Sequence, residues 1–182
     1  MATFAELLAE LDELFGFFFD AGMAFNAAKQ HLETLQKQFN VSDASRFMFG
    51  DGEPKGPPEQ VLLDSLHSTT IGAIKTRMSR DALNSQRAAQ SVIVFAYHIW
   101  EEKYRRSLVD QNGISLGTVE SDVMGDLRLI RNAIIHNKAV ADPPISRCKV
   151  ITHFVPGKTI VLTDAIMFEI IRAIRSDFSA RT

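Results

Sequence analysis

Arg131, Asn132 and His136 lie within six residues of one another in a chain whose other histidines are scattered. Their types suit proton transfer beside a phosphate. Histidine has a reference pKa of about 6.5, so it can take or give a proton near neutral pH. A planar guanidinium can hold two oxygens of a phosphate that gains charge in a transition state. An amide one residue after the arginine, and four before the histidine, can donate to that phosphate or orient the imidazole. These assign His136 a proton-transfer role and Arg131 charge stabilisation, with Arg128 as a second cation and Asn132 as the positioning group.

The element carrying them is a helix expected from Thr118, its N-cap, to about Lys138. Val119, Val123, Leu127, Ile130 and Ile134 recur at helical spacing and fix which side meets the core. At ~100° per residue, Arg128, Arg131, Asn132 and His136 fall on the opposite side. Ile135 and Gly125 share that polar arc, which implies a packing partner, most simply a second copy of the chain. A bare Arg-to-His spacing carries little weight, because Arg147 and His153 satisfy it too. That pair falls in an expected strand, where six residues at ~3.3 Å each separate the side chains by about 20 Å.

The remaining elements follow from the same periodicities. Thr3 and Glu6 form a capping box for a long first helix carrying Phe4, Leu7, Leu8, Leu11, Leu14, Phe15 and Phe18. Residues from about 49 to 58, rich in Gly and Pro, read as a mobile loop, followed by a short helix from about Pro58 to His67. A second long helix runs from about Ser79 to a left-handed cap at Gly113, with Ala89, Val92, Ile93, Ala96, Ile99, Trp100 and Tyr104 on its apolar face. Asp142-Pro143-Pro144 ends the motif region, and partial alternation over about 148–162 reads as a small β-hairpin. Thr163 then caps a last helix carrying Ile166, Ile170, Ile171 and Ile174.

At 182 residues and 46% hydrophobic content the chain can bury one sizeable core, so one all-α domain over 1–182 is expected. A net charge of −2 excludes a general nucleic-acid coat and makes any such site local. The single cysteine, Cys148, excludes an intramolecular disulfide framework and a Cys-rich zinc site. His31, His67 and His98 lack metal-ligand spacing, and no metal or other cofactor is expected. The apolar run 14–19 is bracketed by Asp12, Glu13 and Asp20, well short of the ~20 residues that span a bilayer, and the N-terminus lacks a basic leader. The expected location is the cytoplasm.

Residues 126–137, Asp126 through Arg131-Asn132 to His136-Asn137, resemble the signature helix of the HEPN superfamily: an Arg, a polar residue directly after it, and a His four to six positions beyond the Arg. Trp100-Glu101-Glu102-Lys103-Tyr104-Arg105 is similar to the helix that precedes the motif in small bacterial members, so the resemblance spans roughly Gln90 to Asn137. It implies an up-and-down helical bundle that dimerises, so that two motifs share one cleft. The activity it implies is metal-independent RNA cleavage by the RNA's own 2'-hydroxyl. The implied catalytic residues are Arg131, His136 and Asn132, with Arg128, Lys138, Arg105 and Glu101 as substrate-binding candidates. RNA is the implied substrate, and a toxin or phage-defence role with an antitoxin is the implied context. Some such toxins carry a modifiable tyrosine two residues after the His; Lys138 stands there, and regulation of that kind is not expected. Two other classes stay open: a non-catalytic module whose basic groove binds a nucleotide, nucleic acid or protein, and a purely structural helical dimer.

Overall fold

The computed structural model describes residues 3–50, 56–57 and 65–181. The expected loop at 49–58 and helix at 58–67 lie largely outside the described residues, and His67 itself belongs to a strand. The chain is mostly helical with one two-stranded antiparallel sheet. It divides into two compact units, one of Met1–Ala21 with Gln86–Thr182, the other of Gly22–Ser85.

Helix α1, Phe4–Phe39, starts as expected. Thr3 Oγ1 accepts from the Glu6 amide at 3.1 Å while Glu6 Oε2 accepts from the Thr3 amide at 2.9 Å, so two orphan donors of the first turn are satisfied reciprocally. In the unit of Gly22–Ser85, β1 (Arg46–Phe49) pairs antiparallel with β2 (His67–Thr70). Helix α2, Ile71–Arg77, follows β2, with Thr70 as N-cap to the Ala73 amide. Leu32, Ile71 and Ile74 make a small core there, and Gly72 permits its amide to reach the Asp43 carbonyl at 3.0 Å, where a Cβ would meet Asp43.

The larger unit carries the main core. The second long helix is found as three consecutive pieces: α3 (Leu83–His98), a π-helical segment (Ile99–Arg105) and α4 (Arg106–Asn112), ended by Gly113 in the left-handed conformation at φ 62°. Leu7, Leu11 and Phe15 of α1 are buried, as are Val92, Ile93 and Trp100, and Phe178 stacks on Phe4 at 5.7 Å and meets Trp100 at 5.0 Å. Each such side chain contributes roughly 1.5–3 kcal/mol by leaving water. Helix α6, Asp164–Ser179, supplies Met167, Ile170, Ile174 and Phe178, with Thr163 capping the Ile166 amide as expected.

The motif helix, α5, spans Asp122–His136, its N-cap three residues later than the sequence suggested. Its cap is Ser121, whose Oγ accepts from the Met124 amide at 3.2 Å and donates to Asp177 at 2.5 Å. Thr118 instead ends a 3-10 turn, and Val119 is buried without being helical. At the other end Lys138 and Ala139 both take positive φ, 52° and 59°, a conformation that costs most residues about 1 kcal/mol. The Asn137 and Ala139 amides both close on the Ala133 carbonyl, and the Ile160 amide holds the Ala139 carbonyl at 2.7 Å, which offsets that strain.

The hairpin expected at 148–162 is not formed. The turn Val155–Lys158 exists, but the strand-like residues after it pair with 139–141, through a single antiparallel bridge Val140↔Thr159. Residues 149–151 are withheld from any ladder because their three amides donate to one carboxylate, that of Asp126.

Candidate functional site

Three residues of the predicted aliphatic stripe, Val123, Leu127 and Ile130, are buried on α5 with Ala133 beside them, whereas Ile134 is half-buried and Val119 is buried ahead of the helix. The opposite face is graded. Arg128, Ile135 and His136 are exposed, whereas Arg131 and Asn132 are half-buried. Arg131 lies with its Cζ 5.8 Å from the centroid of the Tyr97 ring on α3, a cation–π arrangement, and its Nη1 donates to Asn132 Oδ1 at 3.1 Å. Its Nε is buried and has no hydrogen-bond partner among the described residues. Two neighbours thus hold the guanidinium, and part of its donor capacity is left for another group.

Asn132 is turned to Arg131, not to the imidazole. His136, one turn further on, is exposed and makes no side-chain hydrogen bond among the described residues. The structure therefore joins Arg131 and Asn132 and leaves His136 one turn beyond Asn132, further round the helix from Arg131. Lys138 is exposed beyond the helix end.

Glu101 and Arg105 sit on the π-helical segment, a form that adds a residue to the turn and re-aims side chains. All three guanidinium nitrogens of Arg105 are bonded within the chain. Its Nη1 is bonded to both Glu101 oxygens at 3.1 and 2.9 Å, its Nε to the Val119 carbonyl at 3.0 Å and its Nη2 to the Leu116 carbonyl at 2.9 Å. It thereby ties the turn before α5 to the preceding helix. Both residues line a cleft of about 290 Å³ that also takes in Tyr97, Gly125, Arg128 and Arg147. Arg131, Asn132 and His136 are not in its lining, although Tyr97 belongs to both the cleft wall and the Arg131 stack.

No protein-family model, curated protein or solved structure matches this chain. No cluster of His, Cys, Asp and Glu able to hold a metal ion is present among the described residues. None of their helices is long and apolar enough to cross a membrane.

The competing Arg147 and His153 pair is separated by structure as well as by distance along the chain. Arg147 closes a 3-10 turn, whereas His153 Nε2 is 2.8 Å from Glu169 Oε2 on α6. The strand invoked to separate them is absent; the Glu169 contact takes the histidine instead.

Sequence reasoning passed over Tyr97 and Asp126. Tyr97 had a signal: it precedes Glu101 by four residues and so shares its face of the helix. Asp126 lies inside the motif segment, at a position only 2% exposed, and nothing in its neighbours announces which amides it serves. It also acts on Cys148. Burial pushes the Cys148 thiol up to about 12, and the Asp126 charge adds to the effect. At pH 8 the thiolate fraction is then on the order of one in ten thousand. Cys148 in the folded protein is expected to react with a thiol reagent at least a hundredfold more slowly than in the urea-unfolded chain, as followed by absorbance. Comparable rates in the two states would show that the thiol is neither shielded nor shifted.

Proposed function

We propose that this protein is a metal-independent endoribonuclease of the HEPN type that works in the cytoplasm as a homodimer. The reading is carried by one observation: an exposed His136 with no internal hydrogen bond among the described residues lies one helical turn beyond Asn132, which together with Tyr97 already holds the Arg131 guanidinium. Holding the cation in advance lowers the cost of arranging it around a phosphate that gains charge. The exposed Ile135 in the same arc, 45% accessible, supports a second copy packing there and bringing a second motif to the cleft.

In this mechanism one imidazole takes the proton of the 2'-hydroxyl as its oxygen bonds to phosphorus. The bond from phosphorus to the 5'-oxygen breaks, and the leaving oxygen takes a proton from the other imidazole. The products are a 2',3'-cyclic phosphate and a 5'-hydroxyl. Arg131 holds the non-bridging oxygens throughout. A toxin or phage-defence role with an antitoxin partner accompanies this reading.

Incubation of the protein with labelled structured RNA in excess chelator, with end-group analysis, tests it: cyclic-phosphate ends are expected. Intact RNA would move a second reading to first place, a non-catalytic module that binds a nucleotide, nucleic acid or protein. The engagement of Asn132 by Arg131, which leaves the imidazole unoriented in the single chain, is the observation that favours this alternative.

A further inference from the structure

Tyr97 is the hinge between the motif and the cleft beside it. Arg131 rests on its ring, and the same residue contributes wall to the cavity of about 290 Å³ between the π-helical segment and the first half of α5. That volume lies at the small end of ligand pockets, which run from roughly 300 to 1,000 Å³, and suits one nucleotide better than a stacked run.

The charges lining it are unevenly committed. Glu101 is bonded to Arg105, Asp122 to Lys149 at 2.6 Å, and Asp126 to three backbone amides. Arg128 and Arg147 are exposed, line the cleft, and form no ion pair or hydrogen bond among the described residues. They come from different elements, Arg128 from α5 and Arg147 from the 3-10 turn Pro143–Arg147. Glu120 is the one lining acid that forms no hydrogen bond or ion pair among the described residues, although its charge acts on Lys149, so two unpaired guanidinium groups outweigh one carboxylate. A phosphate held from two sides by guanidinium groups, with an aromatic ring in the adjoining wall, is the chemistry by which single-stranded nucleic acid is gripped.

We infer that this cleft holds one nucleotide of the RNA strand next to the scissile bond, its phosphate between Arg128 and Arg147 and its base or ribose against Tyr97. The placing of that nucleotide beside a cleavage point rests on the nuclease reading; the cleft's preference for a nucleotide phosphate does not. Arg147, dismissed as half of a competing pair, becomes a substrate-binding residue in its own right.

Trp100 is the chain's one tryptophan and lines the cleft, so its emission reports occupancy. The wild type, Arg128→Ala, Arg147→Ala and Arg147→Lys are titrated with a 2'-O-methyl tetranucleotide, which cannot be cut, and separately with uridine monophosphate. Circular dichroism confirms that each variant is folded. The tetranucleotide is expected to change Trp100 emission saturably, and each alanine variant of the two arginines to bind roughly tenfold more weakly, with Arg147→Lys recovering part of the loss. In cleavage of ordinary RNA, Arg147→Ala raises KM and leaves kcat little changed.

Binding and KM unaltered in both arginine variants overturn the inference and leave the nuclease reading standing. Arginine-dependent binding by a protein that cuts no RNA overturns the nuclease reading and upholds the nucleotide cleft. Uridine monophosphate bound as tightly as the tetranucleotide overturns the placement of an RNA strand, because the cleft then serves a free nucleotide.

Discussion

His136→Ala is expected to lower the rate of RNA cleavage by about 10²–10⁴-fold, the usual worth of a positioned acid–base group, while the protein melts within about 2 °C of the wild type. The asymmetry follows from where the residue sits. His136 is exposed at the last turn of α5 and makes no side-chain hydrogen bond among the described residues, so its removal opens no cavity and strands no partner. Arg131→Ala is expected to cost about 10²–10³-fold in kcat, as loss of a preorganised charge does. It carries a stability penalty of about 1 kcal/mol as well, because the side chain is half-buried against Tyr97. Arg131→Lys is expected not to restore the rate, since an ammonium can neither stack on that ring nor present a planar fork. Initial rates on one RNA, set against melting curves for the same preparations, check all three. A His136→Ala protein that cuts at the wild-type rate would remove the site from the mechanism altogether.

The site's outward face was legible because one variable decides it. Once Val123, Leu127 and Ile130 fix the rotation of α5, the arc holding Arg128, Asn132 and His136 is determined by 100° steps. What surrounds Arg131 needs a second variable, the rotation of α3 relative to α5, and no spacing within either helix supplies it. The Tyr97 stack and the half-burial of Arg131 were therefore beyond reach. The π-helical segment was hidden for a different reason: Ile99–Arg105 has the composition of an ordinary α-helix, and the extra residue per turn shows only in the backbone.

The fold was legible where capping and periodicity agree and was misread where β-branched composition stood in for pairing. Thr3 with Glu6, Gly113 and Thr163 each mark a boundary by a local interaction of the backbone with one side chain or one permissive residue. The actual strands β1 and β2 went unread because Arg46–Phe49 is four residues long, His67–Thr70 is polar, and neither alternates over enough positions to distinguish it from loop. Nor did overall apolar content reveal that Leu32, Ile71 and Ile74 would make a small core of their own. Residues 148–162 have strand-like composition, but a ladder requires free amides, and three of theirs are taken by a residue lying over twenty positions earlier in the chain.

That residue is where the largest loss of stability is expected. Asp126→Ala should destabilise the protein by about 3–5 kcal/mol and lower its melting temperature by on the order of 10 °C. Its carboxylate accepts from the amides of Lys149 at 2.9 and 3.1 Å, Val150 at 2.6 Å and Ile151 at 2.8 Å, an arrangement of successive N–H groups around an anion. Burying a carboxylate is costly, and these charge-assisted bonds offset the cost; deleting it strands the amides, with a penalty of roughly 1–3 kcal/mol for each that water does not reach. Ile151 is fully buried, so its amide has no such recourse. Asp126→Asn keeps the volume but turns an amino group toward donors, and should recover less than half of the loss. By contrast Lys149→Ala, which breaks only an exposed ion pair to Asp122, is expected to cost under about 1 kcal/mol. The consequence for the site is indirect: the Asp126 clasp fixes the segment directly after Arg147 to α5, so Asp126→Asn, assayed well below its melting temperature, should weaken RNA binding through the cleft more than it slows His136-dependent chemistry. An Asp126→Ala protein as stable as the wild type would mean that the 149–151 segment finds other acceptors, and that α5 holds its place through the aliphatic stripe alone.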